Sequence, residues 1–176
     1  MQSDGATATP TASSSLRWGV IAALATIAVD QAAKSWLLYG FDLPRLGSVP
    51  VTPFFDLVLA WNTGISYGWF QNEGPLGQAI LVGVKVVAVI ALAVWMARSQ
   101  AMIATISLGL IIGGAIGNAI DRLVYGAVVD FALFHLQIGG KTYNWYVFNL
   151  ADVAIVAGVV GLLYDSFFGK TAVKAP

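Results

Sequence analysis

Long apolar runs alternate along the chain with two polar and aromatic segments, and that alternation sets the expected architecture. Residues 16–39 form an apolar stretch interrupted by Asp30 and Lys34. It is too long for a signal-peptide core, so it reads as a retained membrane helix. Residues 76–97, 101–118 and 150–168 also have spanning length. Only Arg98-Ser99-Gln100 separates the second run from the third, which predicts a tight antiparallel helical hairpin. The first fifteen residues, MQSDGATATPTASSS, are small and polar and cannot build a core, so a disordered tail is expected there. The expected organisation is a tail over 1–15, one membrane domain over 16–169 and a cytoplasmic tail over 170–176.

Two long segments remain, 40–75 and 119–149. In the first, VPVTPFFDLVLAWN is rich in β-branched and aromatic residues and broken by Pro50 and Pro53, which suggests short strands. In the second, aromatic-rich runs flank Gly139-Gly140, a hairpin signal. A small sheet on the outer membrane surface is expected, its exposed aromatics dipping into lipid; the alternative is two irregular loops. The first segment also carries Pro44 and Pro75 and is expected to serve as a mobile gate. Gly109, Gly113 and Gly117 recur at spacing four, with Gly114 beside them, and small residues so spaced let helix backbones approach closely within the chain.

Composition sharpens this picture. Hydrophobic residues make up 58% and charged residues 10%, against roughly 25% charged in a soluble domain. A particle this small could not hide so much apolar surface, so the expected fold class is an all-α membrane bundle of four transmembrane helices with a small β layer. Nine Lys and Arg balance nine Asp and Glu, leaving no basic footprint for nucleic acid. Cysteine is absent, and the one histidine, His135, reads as an interfacial side chain because no second histidine can build a metal site with it. Arg17, Arg98, Lys170 and Lys174 fall on one side of the membrane. Arg45, Arg122 and Lys141 fall on the other, which favours cytoplasmic termini. Trp36, Trp61, Trp69 and Trp145 lie near the opposite face, at headgroup depth.

Charges inside lipid are costly and face a protein or aqueous interior. Asp30 and Lys34, at i and i+4, can pair and hold helices in register. Asn118, Asp121 and Arg122 share a face if the third helix continues one turn. Asn149 and Asp152 stand at the start of the last helix, where Asp152 could simply favour the helix dipole. Asp130 lies in the apolar setting VVDF, which disfavours an isolated carboxylate. These groups come from separate segments yet all map to the outer membrane edge. The role of Lys85, in mid-helix, is left open. Thiol and HExxH zinc proteases are excluded, and no nucleophile elbow supports a serine enzyme. Paired aspartates remain, able to activate water. A small ion or proton-coupled transporter would want its charges near mid-bilayer, and a non-enzymatic adaptor leaves the aspartates unexplained.

At these residues the chain resembles the bacterial lipoprotein signal peptidases, or type II signal peptidases. The matching blocks are VDQAAK at 29–34, WNTGISYG at 61–68, GGAIGNAIDRLVYGAVVDF at 113–131 and FNLADVAI at 148–155. The resemblance implies a four-helix aspartic endopeptidase of the bacterial inner membrane with a β-cradle on its periplasmic face. Such enzymes cleave prolipoproteins before the diacylglyceryl-modified cysteine and are targets of globomycin. It further implies that Asp130 and Asp152 are catalytic. Asn62, Asn118, Arg122 and Asn149 would then contact substrate, with Asp30, Lys34, Gly64 and Asp121 in support. No cofactor or metal is implied, and the expected partners are the lipidated substrate and membrane lipid around a monomer. One departure is visible: family members usually carry Phe and small Ala residues after NTG, where this chain has Ile65-Ser66-Tyr67.

Overall fold

The computed structural model describes residues 12–63 and 75–169. Gly64, the remainder of the proline-rich segment through 74, and most of both tails lie outside the described residues. The elements are α1 (Ala12–Ser35), α2 (Leu43–Leu46), β1 (Ser48–Thr52), β2 (Phe55–Asn62), α3 (Pro75–Arg98), α4 (Met102–Tyr125), β3 (Val128–Ile138), β4 (Lys141–Asn144) and α5 (Leu150–Phe168). A wide π-helical turn, Trp36–Gly40, continues α1. The molecule is thus a bundle of long apolar helices carrying a small antiparallel sheet.

Among the described residues, three segments are long and apolar enough to cross a membrane: Ser15–Gly40, Met102–Tyr125 and Leu150–Phe168. The fourth long helix, α3, has 24 residues and an apolar stretch over Val86–Arg98. Exposure is inverted relative to a soluble protein. Leu24, Val29, Val156, Val160 and Leu163 are exposed, whereas Asp30, Lys34 and Asp121 are buried. An apolar outside around a charged inside is the arrangement lipid demands.

Helix α4 is the axis of the bundle, packed between α1 and α5. Its glycines explain the closeness. A Cβ on Gly109 or Gly113 would collide with the backbone oxygens of Gly19 or Ala23 on α1, and one on Gly114 with Ala151 O on α5. The spaced glycines therefore serve packing within the chain, as expected. Ala23, Met96, Leu108 and Ile112 fill the bundle core.

Two boundaries differ from the sequence expectation. The first helix begins at Ala12, inside the segment read as tail, because Ser15 is buried and its hydroxyl donates to Gln100 O at 3.0 Å across the α3–α4 turn. The third long helix runs past Asn118 to Tyr125, its polar last turns sheltered by protein instead of lipid. Gly126, at φ 75°, stops it, and the Gly126 N–H caps Arg122 O at 3.1 Å.

The sheet has the order β1-β2-β3-β4, antiparallel throughout. Gly139 and Gly140, both at positive φ, turn β3 into β4 as the sequence signal required. The sheet rests on Leu37, Leu43, Phe131 and Ala132, which tie it to the π-helical turn and α2. Phe148 exchanges backbone hydrogen bonds with Ala132, delivering the chain from the sheet to the first turn of α5.

Candidate active site

Three pieces of backbone meet where the bundle joins the sheet: the last turns of α4, the start of α5 and the first half of β3. In the β2–β3 register Ala60 faces Asp130 and Asn62 faces Val128, so Asp130 and Asn62 project from one face of the sheet. Asn62 Nδ2 donates to Asp130 Oδ2 at 3.0 Å. Asn149 Nδ2 donates to the other oxygen, Oδ1, at 2.7 Å. Asp130 is nearly sealed, at 3% exposure. Burial pushes its carboxyl above the usual carboxylate range, and the negative charge of Asp152 adds to the rise; the hydrogen bonds from Asn62 and Asn149 and the charge of Lys34 oppose it.

Asp152 occupies the third position of α5 and closes a capping box with Asn149. The Asp152 N–H donates to Asn149 Oδ1 at 3.0 Å, and the Asn149 N–H donates to Asp152 Oδ2 at 3.2 Å. Asp152 therefore does support the helix start, as the plainest reading of the sequence had it. It also reaches beyond that role. Its Oδ1 accepts from Asn118 Nδ2 at 2.9 Å, and its side chain is only half-buried.

Behind the two aspartates lies a charged cluster. Lys34 Nζ contacts Asp30 Oδ2 at 2.8 Å, Asp121 Oδ2 at 2.6 Å and Asn118 Oδ1 at 3.2 Å, which uses all three of its protons. Asp30 Oδ1 accepts the Ala151 N–H at 2.9 Å, and Asp121 Oδ2 accepts the Val129 N–H at 3.1 Å. One ammonium thus ties α1 to the start of α5 and to β3. The pairing of Asp30 with Lys34 follows their i, i+4 spacing; the reach to Asp121 does not.

Arg122 is half-buried, with Nη1 donating to Asn118 O at 3.2 Å and its charge within electrostatic reach of Asp121, Asp130 and Asp152. Asp121 makes no ion pair with it; it turns instead to Lys34, Gln31 and the Val129 N–H. Gln31 was not singled out in the sequence. Its Nε2 lies 2.9 Å from Asp121 Oδ1 and 3.1 Å from Gly117 O, and the available signal was an uncharged polar residue beside Asp30 inside an apolar run. Of the expected site residues the structure brings together Asp30, Lys34, Asn62, Asn118, Asp121, Arg122, Asp130, Asn149 and Asp152, while Gly64 lies outside the described residues. His135 stands apart on β3, its Nε2 3.2 Å from Asp56 Oδ1. No cluster of metal-ligating side chains occurs among the described residues.

The arrangement offers two carboxyl groups in different surroundings, one sealed and one half-open, joined by two asparagines. Comparison with known proteins gives this pair a context. The family described as Signal peptidase (SPase) II matches residues 22–168. The chain belongs to that family. It is 71% identical over 161 residues to a lipoprotein signal peptidase of Rhodopseudomonas palustris (strain TIE-1), covering 92% of this chain and 98% of that one. A lipoprotein signal peptidase of Nitrobacter hamburgensis is 68% identical over the same coverage. Among solved structures, a bacterial membrane enzyme determined in meso at 1.9 Å shares the fold with a TM-score of 0.70 at 24% identity, over 87% of this chain and 94% of that one. Family membership makes the chain a membrane-embedded signal peptidase that processes lipoproteins, and the transporter and adaptor readings are not favoured.

Proposed function

We propose that this peptidase is an aspartic endopeptidase. In this reading Asp130 and Asp152 share one proton and cleave prolipoproteins before the diacylglyceryl-modified cysteine. The observation that carries it is the paired environment of the two carboxyls: they stand on different elements, are bridged by Asn149 and Asn118, and differ in burial. Two neighbouring carboxyls cannot both ionise cheaply, so a single proton is retained between them. The rise at sealed Asp130 makes it the natural holder of that proton. Half-open Asp152, the carboxyl that water can reach, serves as the base.

Asp152 then takes a proton from water as the water oxygen attacks the scissile carbonyl carbon. Asp130 donates its proton to the developing oxyanion. Collapse of the tetrahedral species breaks the C–N bond, one hydroxyl returns its proton to Asp130 as the carboxylic acid forms, and the amine leaves with the proton that Asp152 collected. Arg122, whose rigid fork suits a peptide carbonyl, holds the substrate backbone beside the pair. We place the site at the periplasmic face of the inner membrane with both termini in the cytoplasm, where a lipidated cysteine can arrive from the bilayer while water reaches the carboxyls.

The test is incubation of the purified chain with a diacylglyceryl-modified prolipoprotein and with its unmodified counterpart. Mass spectrometry should find cleavage immediately before the modified cysteine, and none in the unmodified chain. Asp130→Asn and Asp152→Asn should each lower kcat by about 10³-fold or more, and the double variant hardly further, because the two act as a unit. Retained cleavage in either single variant would overturn the reading.

A further inference from the structure

The sheet face that carries the carboxyl site continues outward as an apolar groove. Side chains alternate along β3, so Asp130, Ala132, Phe134 and Leu136 project from one face. The registers extend that face sideways: Phe134 stands opposite Phe55, and Leu136 opposite Tyr143. The Trp145 N–H donates to Phe134 O at 2.8 Å, which brings Trp145 alongside. The Phe148 ring stacks on Phe134 with centroids 5.7 Å apart. Between Phe134, Leu136, Tyr143, Trp145 and Phe148 lies an open groove of about 420 Å³.

The groove joins the carboxyl site through two consecutive residues. Phe148 lines the groove, and the next residue, Asn149, donates to Asp130 Oδ1 at 2.7 Å. Phe134 lies four residues from Asp130, about 13 Å along the strand at about 3.3 Å per residue. Phe134, Leu136, Tyr143 and Trp145 are all exposed. Among the described residues no Asp, Glu, Lys or Arg lines the groove. His135 borders it but alternates to the other face, where its Nε2 lies 3.2 Å from Asp56 Oδ1.

An occupant must therefore be apolar, slender and tethered near Asp130. The polar chain beyond a cleavage point would lose hydration against these walls. An α-helix, about 10–12 Å across, could place no more than a single turn in a space of this volume. A fatty-acyl chain meets all three conditions, and a lipoprotein carries one. Moving from bilayer to groove exchanges one apolar surrounding for another, so the gain comes from the aromatic walls that the chain covers. We propose that this groove seats a fatty-acyl chain of the lipoprotein substrate and so sets the modified residue against the carboxyl pair. This rests on the proposed cleavage by Asp130 and Asp152. An unlipidated chain leaves the groove unfilled and arrives without that alignment.

The experiment uses the full chain in lipid nanodiscs and two lipopeptides of one sequence, whose modified cysteine carries palmitoyl or butyryl chains. Leu136→Asn, at an exposed position, puts an amide into the groove. It should lower the kcat/KM preference for the palmitoyl over the butyryl lipopeptide by about tenfold, with the change in KM. An unchanged preference, as simple contact of the hairpin with the bilayer would give, overturns the proposal. The second arm needs no substitution. A lipopeptide with a reduced, uncleavable scissile amide and a diazirine in its acyl chain is photolysed on the unaltered chain. Mass spectrometry should place the label on Leu136, Tyr143 or Trp145, and excess unlabelled palmitoyl analogue should compete it away. Label confined to the long helices overturns the proposal. So does labelling of the groove by a diazirine-bearing phosphatidylcholine that the lipopeptide does not displace, because bilayer lipid is then the occupant. The aspartic mechanism fails separately: cleavage retained in Asp130→Asn refutes it and leaves the labelling pattern as it was.

Discussion

The two halves of α4 bind the same neighbour by different means. Over residues 102–116 the helix meets α1 through small side chains, with Gly109 and Gly113 set against the backbone of Gly19 and Ala23. Over residues 117–125 it meets α1 through Asp121, Lys34, Gln31 and Asn118. The first half offers dispersion contacts that tolerate sliding along the seam. The second offers directional bonds that do not. Helices in lipid lack a hydrophobic drive towards one another, so close packing supplies association and the polar cluster supplies register. Gly117 is where the two regimes meet: a Cβ there would lie 2.8 Å from Asp30 Oδ2.

Substitutions on either side of that junction should separate the regimes. Arg122→Ala, at the polar end, should lower kcat/KM by about 100-fold through poorer substrate positioning, while the melting temperature stays within a few degrees. Thermal denaturation and cleavage kinetics check it; an unfolded variant, or cleavage as fast as before, removes the clamp role. Gly113→Ala should cost about 2 kcal/mol, because its methyl meets the Ala23 backbone oxygen at 2.6 Å and α1 must back away. At about 2–4 °C per kcal/mol that is a visible drop in Tm, with kcat of the folded fraction preserved. Gly117→Ala should reverse the balance. Its methyl displaces a side-chain carboxylate instead of backbone, so kcat falls about tenfold while Tm moves less than for Gly113→Ala. Equal effects of the two glycine variants on Tm and kcat would erase the distinction between the halves.

The last expectation concerns pH. Burial raises the Asp130 carboxyl above its ordinary value, so the folded chain binds that proton more tightly than the unfolded chain. The resulting stabilisation is complete below about pH 4, the unfolded value, and is lost as pH rises through the folded one. The Tm of the unaltered chain should therefore fall, relative to Asp130→Asn, as pH rises from about 4 towards neutrality. A constant difference across that range would mean the carboxyl titrates alike in both states.

What could be read from the sequence divides along the same junction. Spanning length located the helices, because apolar runs need no partner to be recognised, and Gly139-Gly140 marked the hairpin because two residues at positive φ advertise themselves. The i, i+4 spacing of Asp30 and Lys34 foretold their contact. The end of α4 was harder. Asn118, Asp121 and Arg122 lower the local hydropathy, and only the finished fold supplies the buried partners that let the helix continue to Tyr125. For the same reason the face shared by Asn118, Asp121 and Arg122 does not reveal that the ion-pair partner of Asp121 stands 87 positions earlier, at Lys34. The bulge in β2 between Leu57 and Ala60, which sets Ala60 opposite Asp130, left no mark in composition. Long-range polar geometry depends on which side chains are sealed together, and local pattern does not encode that.

The capping box at the head of α5 has a consequence for how this protein can change over time. Asp152 is bound at both ends of its reach, to the backbone that starts its own helix and to Asn118 on the next. A replacement that leaves no oxygen at this position gives up the cap on the Asn149 N–H and the acceptor for Asn118 together, whereas asparagine keeps an oxygen for the cap. Among the changes open to a lineage here, asparagine is therefore the one that preserves the start of the helix. For the others the helix start and, in the proposed mechanism, the base are inherited as one character.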